Sequence, residues 1–242
     1  MQPPHALLLD FGGVLAEKTD RTVDPGLYEW VHQVTGGVLG TERIKADMAA
    51  ANKARNEWRE NAENPELSHE QLWRDFVAKD WPEPAREAAV AYASEFTYAW
   101  ENARFRLVDG MAEVLEWALG RGLPVAVVSN TRCGKVFRDF LDEAGLTGAL
   151  PVQIYSDEAG VFKPHPEMIF AAARALNVSP ARCWFVGDSL HRDIECGRRA
   201  GVAAAVLRPS RYRDNEQWDI EPDAVVTDGH ELLKLLKDAL EP

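Results

Sequence analysis

From about residue 103 onward, short apolar runs alternate with amphipathic stretches, and no other feature of the chain constrains its fold so tightly. "PVAVVSN" gives way to "GKVFRDFLDEAG", "PVQIYS" to "PEMIFAAARAL", "CWFVGD" to "IECGRRAG", and "VAAAVL" leads to a last pair, "DAVVT" and "HELLKLLKDAL". Strand and helix in strict alternation predict an α/β fold, a doubly wound parallel sheet with helices on both faces. Leu7–Leu9 supplies one more run near the N-terminus, with no polar residue alternating through it, as suits a strand buried on both faces. Between them, from Glu17 to about Asn102, the texture is charge-rich and amphipathic, with few β-branched runs. Leu27, Val31 and Val34 share a helical face, Ser68 and Gln71 form a capping box before Leu72, and Pro82 and Pro84 precede a helix expected over 86–100. The reading is a sheet domain over 1–16 and 103–242, interrupted after its first strand by an all-helical insertion over 17–102. Within the sheet domain, Asp109 is expected to cap a helix whose Met111, Val114, Leu115, Ala118 and Leu119 share a face, ending at Gly120 and Gly122.

Open sheets of this kind bind ligands beyond the carboxyl ends of their strands. The first strand delivers Asp10, followed at once by Gly12 and Gly13; the second delivers Ser129 and Asn130. Lys163 follows the third in "VFKPHP", and the fourth delivers Gly187, Asp188 and Ser189, with Asp193 shortly after. An ionised carboxylate is costly to desolvate unless it is paired or bound to a cation, so Asp10 at the rim of a buried strand implies a task. Glycines just beyond it let backbone amides approach a bound group. Two acids, a hydroxyl and a lysine thus meet on one rim although they are far apart in sequence.

Composition narrows the partners. With 27 basic against 39 acidic residues the net charge is −12, which opposes non-specific binding to nucleic acid or to anionic membrane. Cys133, Cys183 and Cys196 form neither a CxxC pair nor an even framework, which argues against disulfides and structural zinc and for a reducing, cytoplasmic setting. No apolar stretch approaches membrane-spanning length, and the opening Met-Gln-Pro-Pro-His lacks the layout of a signal peptide, so the mature chain is expected to start near residue 1.

The stretches "LLLDFGGVL", "VVSN", "VFKPHP" and "FVGDSLHRD" together resemble the four motifs of the haloacid dehalogenase superfamily. The insertion sits where that family carries a helical cap of the first type, and "DFGGVL" is similar to a branch containing sugar-phosphate phosphatases and the phosphatase domain of soluble epoxide hydrolases. The resemblance implies a Rossmann-like core and a Mg²⁺-dependent phosphatase of a small phosphorylated metabolite. It implies that Asp10 forms an aspartyl-phosphate and that Asp10, Asp188 and the Gly12 carbonyl hold the metal. Magnesium suits one or two carboxylates plus substrate phosphate. Lys163 is expected to neutralise the transferring oxygens and orient the carboxylates. Ser129 and the Asn130 amide, near the helix starting at Gly134, are expected to donate to those oxygens, with Gly13 also in the binding loop. Ser189 and Asp193 are assigned to the surrounding support of the metal and of Lys163.

One position departs from the family pattern. Most phosphatases of this family carry a second aspartate two residues after the nucleophile as general acid and base; here that residue is Gly12. Such help is worth roughly 10²–10⁴ in rate, so either the substrate has a good leaving group or the substrate, the insertion or water is expected to supply the proton. His165 and His191 are candidate substitutes for the missing acid. Lys53, Arg55 and Arg59 are candidates to meet a second anionic group, although a solvated helix face is the plainer account; specificity is expected from the insertion and from the loop after Leu15, which includes Lys18. Cys133 and the tryptophans of the insertion are read as packing residues. Two alternatives stand beside the phosphatase: a hydrolase of a carbon–halogen or carbon–phosphorus bond, and a non-catalytic phosphometabolite-binding protein. Oligomeric state is not readable.

Overall fold

The computed structural model describes residues 1–20, 23–210 and 219–241. Six strands form one parallel sheet: β1 (Ala6–Leu9), β4 (Val125–Ser129), β5 (Val152–Tyr155), β6 (Cys183–Gly187), β7 (Ala204–Leu207) and β8 (Ala224–Val225). Their order is β5-β4-β1-β6-β7-β8. β1 is therefore central, with the chain winding outward from it in both directions, and the crevice at the strand ends opens beside it. Leu7, Leu8 and Leu9 register against Val125, Ala126 and Val127 on one side and Trp184, Phe185 and Val186 on the other.

Successive residues of a strand point to opposite faces, and here both faces are covered. Leu7, Leu9, Val125, Val127 and Trp184 belong to one core cluster, while Ala6, Leu8, Ala126, Val128 and Phe185 belong to another. That is why the strand sequences are unbroken apolar runs. Helices over Met111–Arg121, Gly134–Glu143, Glu167–Leu176, Glu195–Ala200 and Gly229–Leu240 fill the two layers.

The helix at 111–121 starts differently from expectation. Its N-cap is Gly110, not Asp109, and no side chain caps it. Gly110 has φ of +77°, and a Cβ there would lie 2.4 Å from the His230 amide nitrogen; a Cβ on Gly229 would lie 2.2 Å from the Gly110 carbonyl carbon. Two helix starts meet backbone to backbone at this point, which only paired glycines allow. Met111, Val114, Leu115 and Ala118 are buried as read, but Leu119 is exposed; the helix ends at Gly122 in the left-handed conformation.

Between β1 and the rest of the sheet the chain forms helices over Pro25–Val34, Thr41–Trp58, His69–Gln71, Glu83–Ala91 and Ala93–Glu101. The last two replace the single helix expected over 86–100. The break falls at Tyr92, whose φ of −110° and ψ of 18° lie outside the helical range. The Ser68–Gln71 capping box is complete, with each residue's side chain bonded to the other's amide. These helices have a hydrophobic cluster of their own, built from Val31, Ile44, Met48, Trp73, Phe96 and Trp100 among others. Where the chain leaves and re-enters the sheet layer, β2 (Ala16–Lys18) and β3 (Phe105–Leu107) pair antiparallel. Three-residue strands show no readable period, so this pair was invisible in the sequence.

Candidate active site

Backbone topology brings the expected residues together. Asp10 follows β1 directly, and its amide continues the ladder to the Val186 carbonyl at 2.9 Å. Ser129 ends β4, Gly187 ends β6, and Asp188 and Ser189 come next. Asp10, Gly12, Ser129, Asn130, Lys163, Asp188 and Asp193 all line one cavity of about 490 Å³. Lys18, Asn52 and Arg132 close its other side.

Lys163 is the hub. Its buried Nζ lies 2.7 Å from Asp10 Oδ1, 2.6 Å from Asp193 Oδ1 and 2.8 Å from the Val128 carbonyl. Two of these contacts are hydrogen bonds, to Asp10 and to the Val128 carbonyl, and the third is an ion pair with Asp193, so Lys163 orients the carboxylates and keeps a third N–H for a transferring oxygen. Burial alone pulls the lysine pKa down, but Asp10 and Asp193 outweigh it and hold the ammonium above the ordinary lysine range. Burial pushes the Asp10 carboxyl up, and the Asp193 charge adds to this, while Lys163 and the Ser129 hydroxyl hold it down.

Asn130 fixes the lysine in place. Its amide Nδ2 donates to the Lys163 carbonyl at 3.0 Å and its Oδ1 accepts from the Lys163 amide at 2.8 Å. Asp193 Oδ2 accepts from the amides of Asp188 and Ser189, each at 3.0 Å, which sets the direction of the Asp188 loop. A Cβ on Gly187 would lie 2.0 Å from the Asp193 Cβ, so the strand end must be glycine for this approach. Ser189 caps the turn that follows, its hydroxyl accepting from the Arg192 amide at 3.1 Å.

Several expectations change. Gly13 does not offer its amide to a ligand: it donates to the Ala16 carbonyl at 2.9 Å. With φ of +80° and a would-be Cβ only 2.5 Å from Asp188 Oδ2, Gly13 serves the packing of Asp188 against Ser210. The helix beginning at Gly134 gives its first amide to Asp157 at 2.9 Å and not to the cavity. His165 and His191 do not line the cavity; their Nδ1 atoms meet the Glu167 amide and Glu195. Arg55 and Arg59 are buried beside Glu66, outside the cavity lining, and Lys53 is exposed. Around Gly12, nothing lies within 4 Å of a would-be Cβ. The position that could hold a second acid is open space.

Two features escaped the sequence. Ser210 donates to Asp188 Oδ2 at 2.5 Å from beyond the end of β7, where the strand-end rule could have flagged it. Behind the opposite wall, Glu101 binds Lys18 at 2.6 Å and Arg132 at 2.9 Å, and Arg132 also reaches Asn52 Oδ1 at 2.6 Å and stacks on Trp100. Burial raises the Glu101 carboxyl, but Arg132 and Lys18 outweigh burial and bring its pKa down to about 2. A fixed, ionised carboxylate thus holds two cations at the cavity wall.

The donor set fits a hard divalent cation. Oxygens of the buried Asp10, Asp188 and Asp193 carboxylates lie within 4.8 Å of one another, and one ammonium contacts two of the three. Buried like charges this close need a cation, and all-oxygen ligation is what magnesium takes.

A model of haloacid dehalogenase-like hydrolases matches residues 4–201. The chain belongs to this family. Its relatives include the glyceraldehyde 3-phosphate phosphatase of Methanopyrus kandleri, 37% identical over 196 residues that span 72% of this chain and 82% of that protein. The N-acetylmuramic acid 6-phosphate phosphatase of Pseudomonas putida is 34% identical over 65% of this chain and 72% of that protein. Among solved structures, a HAD phosphatase from Thermococcus onnurineus superposes with a TM-score of 0.63 at 20% identity, covering 98% of each chain, which shows the shared fold. The chain is thus a hydrolase of this family by its domain, and its parallel sheet is the α/β fold these structures share. No helix among the described residues is long and apolar enough to cross a membrane.

Proposed function

We propose that this chain is a Mg²⁺-dependent phosphatase of small phosphorylated metabolites, with Asp10 as nucleophile and residues 17–102 as a cap over the site. The observation that carries the reading is Lys163 Nζ held between Asp10 and Asp193 at 2.7 and 2.6 Å, in the cavity that Asp188 also lines. Asp10, Asp188 and the Gly12 carbonyl would hold the ion, with Asp193 fixing the Asp188 loop. When bound, the ion neutralises charge between the carboxylate and the phosphoryl oxygens. Lys163 keeps an Asp10 oxygen aimed into the cavity, and Asn130 keeps Lys163 there. The free Asp10 oxygen attacks phosphorus as the bond to the leaving oxygen breaks, and Ser129 donates to a transferring oxygen. The leaving oxygen departs with the bonding electrons and takes its proton from water. Water then attacks the phosphorus of the aspartyl-phosphate, releasing inorganic phosphate and restoring Asp10.

Among the described residues lining the cavity, Asp10, Asp188 and Asp193 are the only carboxylates and no histidine joins them. All three are committed to the charge balance around Lys163 and the ion. That favours substrates whose leaving oxygen needs little protonation, such as anomeric sugar phosphates, acyl phosphates and phosphoanhydrides. A cavity of about 490 Å³ suits a small metabolite. Three buried free thiols fit a reducing, cytoplasmic compartment. The test is phosphate release from sugar phosphates, nucleotides and acyl phosphates, with and without Mg²⁺. Turnover that needs Mg²⁺ and vanishes in Asp10→Asn supports the reading; metal-independent halide release from haloacids, or binding without turnover, overturns it.

A further inference from the structure

A cavity of about 930 Å³ lies apart from the catalytic one, between the helical insertion and the sheet layer. Three side chains with metal-binding atoms meet in its lining: His69 from the insertion, and Cys133 and Asp157 from the segments after β4 and β5. An imidazole nitrogen, the thiol sulfur and a carboxylate oxygen lie within 4.8 Å of one another, and His69 Nε2 is 3.8 Å from Asp157 Oδ2. A second observation is independent of that proximity. The Asp157 side chain is 8% exposed, and its Oδ1 is buried with no hydrogen-bond partner, while Oδ2 takes the Gly134 amide. A buried carboxylate oxygen without a partner costs free energy that a bound cation would recover.

Although the cysteine spacing argued against structural zinc, the fold gathers ligands from three separate segments, and we propose that His69, Cys133 and Asp157 form a Zn²⁺ site that clamps the helical insertion to the sheet domain. A nitrogen, a sulfur and an oxygen donor are a zinc set, whereas magnesium takes oxygen alone, so the two metals sort between the two cavities. Tetrahedral zinc, with bonds of about 2.0–2.3 Å, places its ligand atoms roughly 3.3–3.8 Å apart. Side-chain rotation of about 1 Å brings the three atoms to that spacing. Three protein ligands leave a fourth position that water or a small ligand would fill. Ser94 Oγ already sits 3.1 Å from His69 Nδ1, and once Nε2 binds the ion the hydrogen moves to Nδ1, whose N–H then donates a hydrogen bond to the hydroxyl and orients the ring. Loading exchanges the 2.7 Å contact between His69 Nε2 and the Arg132 carbonyl for the ion. Because Cys133 and Arg132 lie just past Ser129 and Asn130, the clamp would hold the insertion against the loop that serves the catalytic cavity.

The measurement is direct metal binding to the full chain, stripped by chelator, in the Asp188→Asn background so that the catalytic carboxylates contribute little. Equilibrium dialysis is expected to give one Zn²⁺ per chain at micromolar free zinc. Added Co²⁺ is expected to give a thiolate-to-cobalt charge-transfer band and the intense visible bands of tetrahedral cobalt. Cys133→Ser removes the charge-transfer band and weakens zinc at least tenfold; His69→Gln and Asp157→Asn weaken it similarly, each checked for folding by its thermal transition. Absence of stoichiometric zinc and of the cobalt band in the parent chain overturns the proposal, as does a band that survives Cys133→Ser. None of these readouts depends on turnover, so this inference and the phosphatase reading fail separately.

Discussion

Restoring a carboxylate at position 12 is the sharpest perturbation the site allows. A Cβ on Gly12 meets nothing within 4 Å, and the residue is not among the glycines with positive φ, so Gly12→Asp should enter without steric clash or backbone strain. The new side chain would stand two residues beyond Asp10, in the same cavity. General acid help is worth about 10²–10⁴ in rate, or roughly 3–5 kcal/mol of barrier at about 1.4 kcal/mol per decade. The gain should depend on the substrate. Simple alkyl phosphates, whose leaving alkoxides need a proton, should speed up by about 10²-fold or more. Acetyl phosphate and p-nitrophenyl phosphate should change by less than about tenfold, because their leaving groups depart unprotonated. The assay is kcat for a series of phosphate esters graded by leaving-group pKa, in the parent and the variant at saturating Mg²⁺. A flatter dependence on leaving-group pKa in the variant supports the account. An unchanged slope, in a variant that stays folded and still needs Asp10, refutes the claim that Gly12 marks a missing proton donor.

Other perturbations probe the supporting contacts. Asn130→Ala removes both hydrogen bonds to the Lys163 backbone and should lower kcat by about 10–100-fold with KM little changed, as steady-state kinetics would show. Gly13→Ala places a methyl 2.5 Å from Asp188 Oδ2 at φ of +80°, and should cost about 1–3 kcal/mol by urea denaturation while weakening Mg²⁺ binding. Glu101, held at about 2 against an ordinary value of 4.5, contributes stability that is full above pH 4.5 and is lost as pH falls toward 2. The contribution is at most about 3 kcal/mol. Glu101→Gln should remove that segment of the stability–pH profile, and a profile parallel to the parent's between pH 4.5 and 2 would contradict the assignment.

What the sequence disclosed follows from distance along the chain. Asp10, Ser129, Lys163 and Asp188 were legible because each stands at the end of, or just after, an apolar run, and a parallel sheet aligns such ends whatever the connections. The strands were legible because both faces are buried, which leaves Leu7–Leu9 or Val125–Val128 with no polar residue to obscure the run. Contacts that depend on how the insertion docks were not legible. Glu101 can gather Lys18 and Arg132 only after β2 and β3 have paired, and nothing local to any of the three announces it. Asn130 looked like a source of backbone donors, whereas its side chain is spent on a loop 33 residues away. Asp109 is a good capping residue by type, yet the contact between Gly110 and Gly229 overrides that preference.

The central claim concerns a covalent bond to one carboxylate, and it can be read directly. Mix the enzyme with Mg²⁺ and excess acetyl phosphate, quench in acid within the first turnover, reduce with borohydride, and map the peptide that carries residue 10. Reduction converts an aspartyl-phosphate to homoserine, so homoserine at position 10, absent without Mg²⁺, is the predicted result. Phosphate released at full rate while Asp10 remains aspartate throughout would contradict the account.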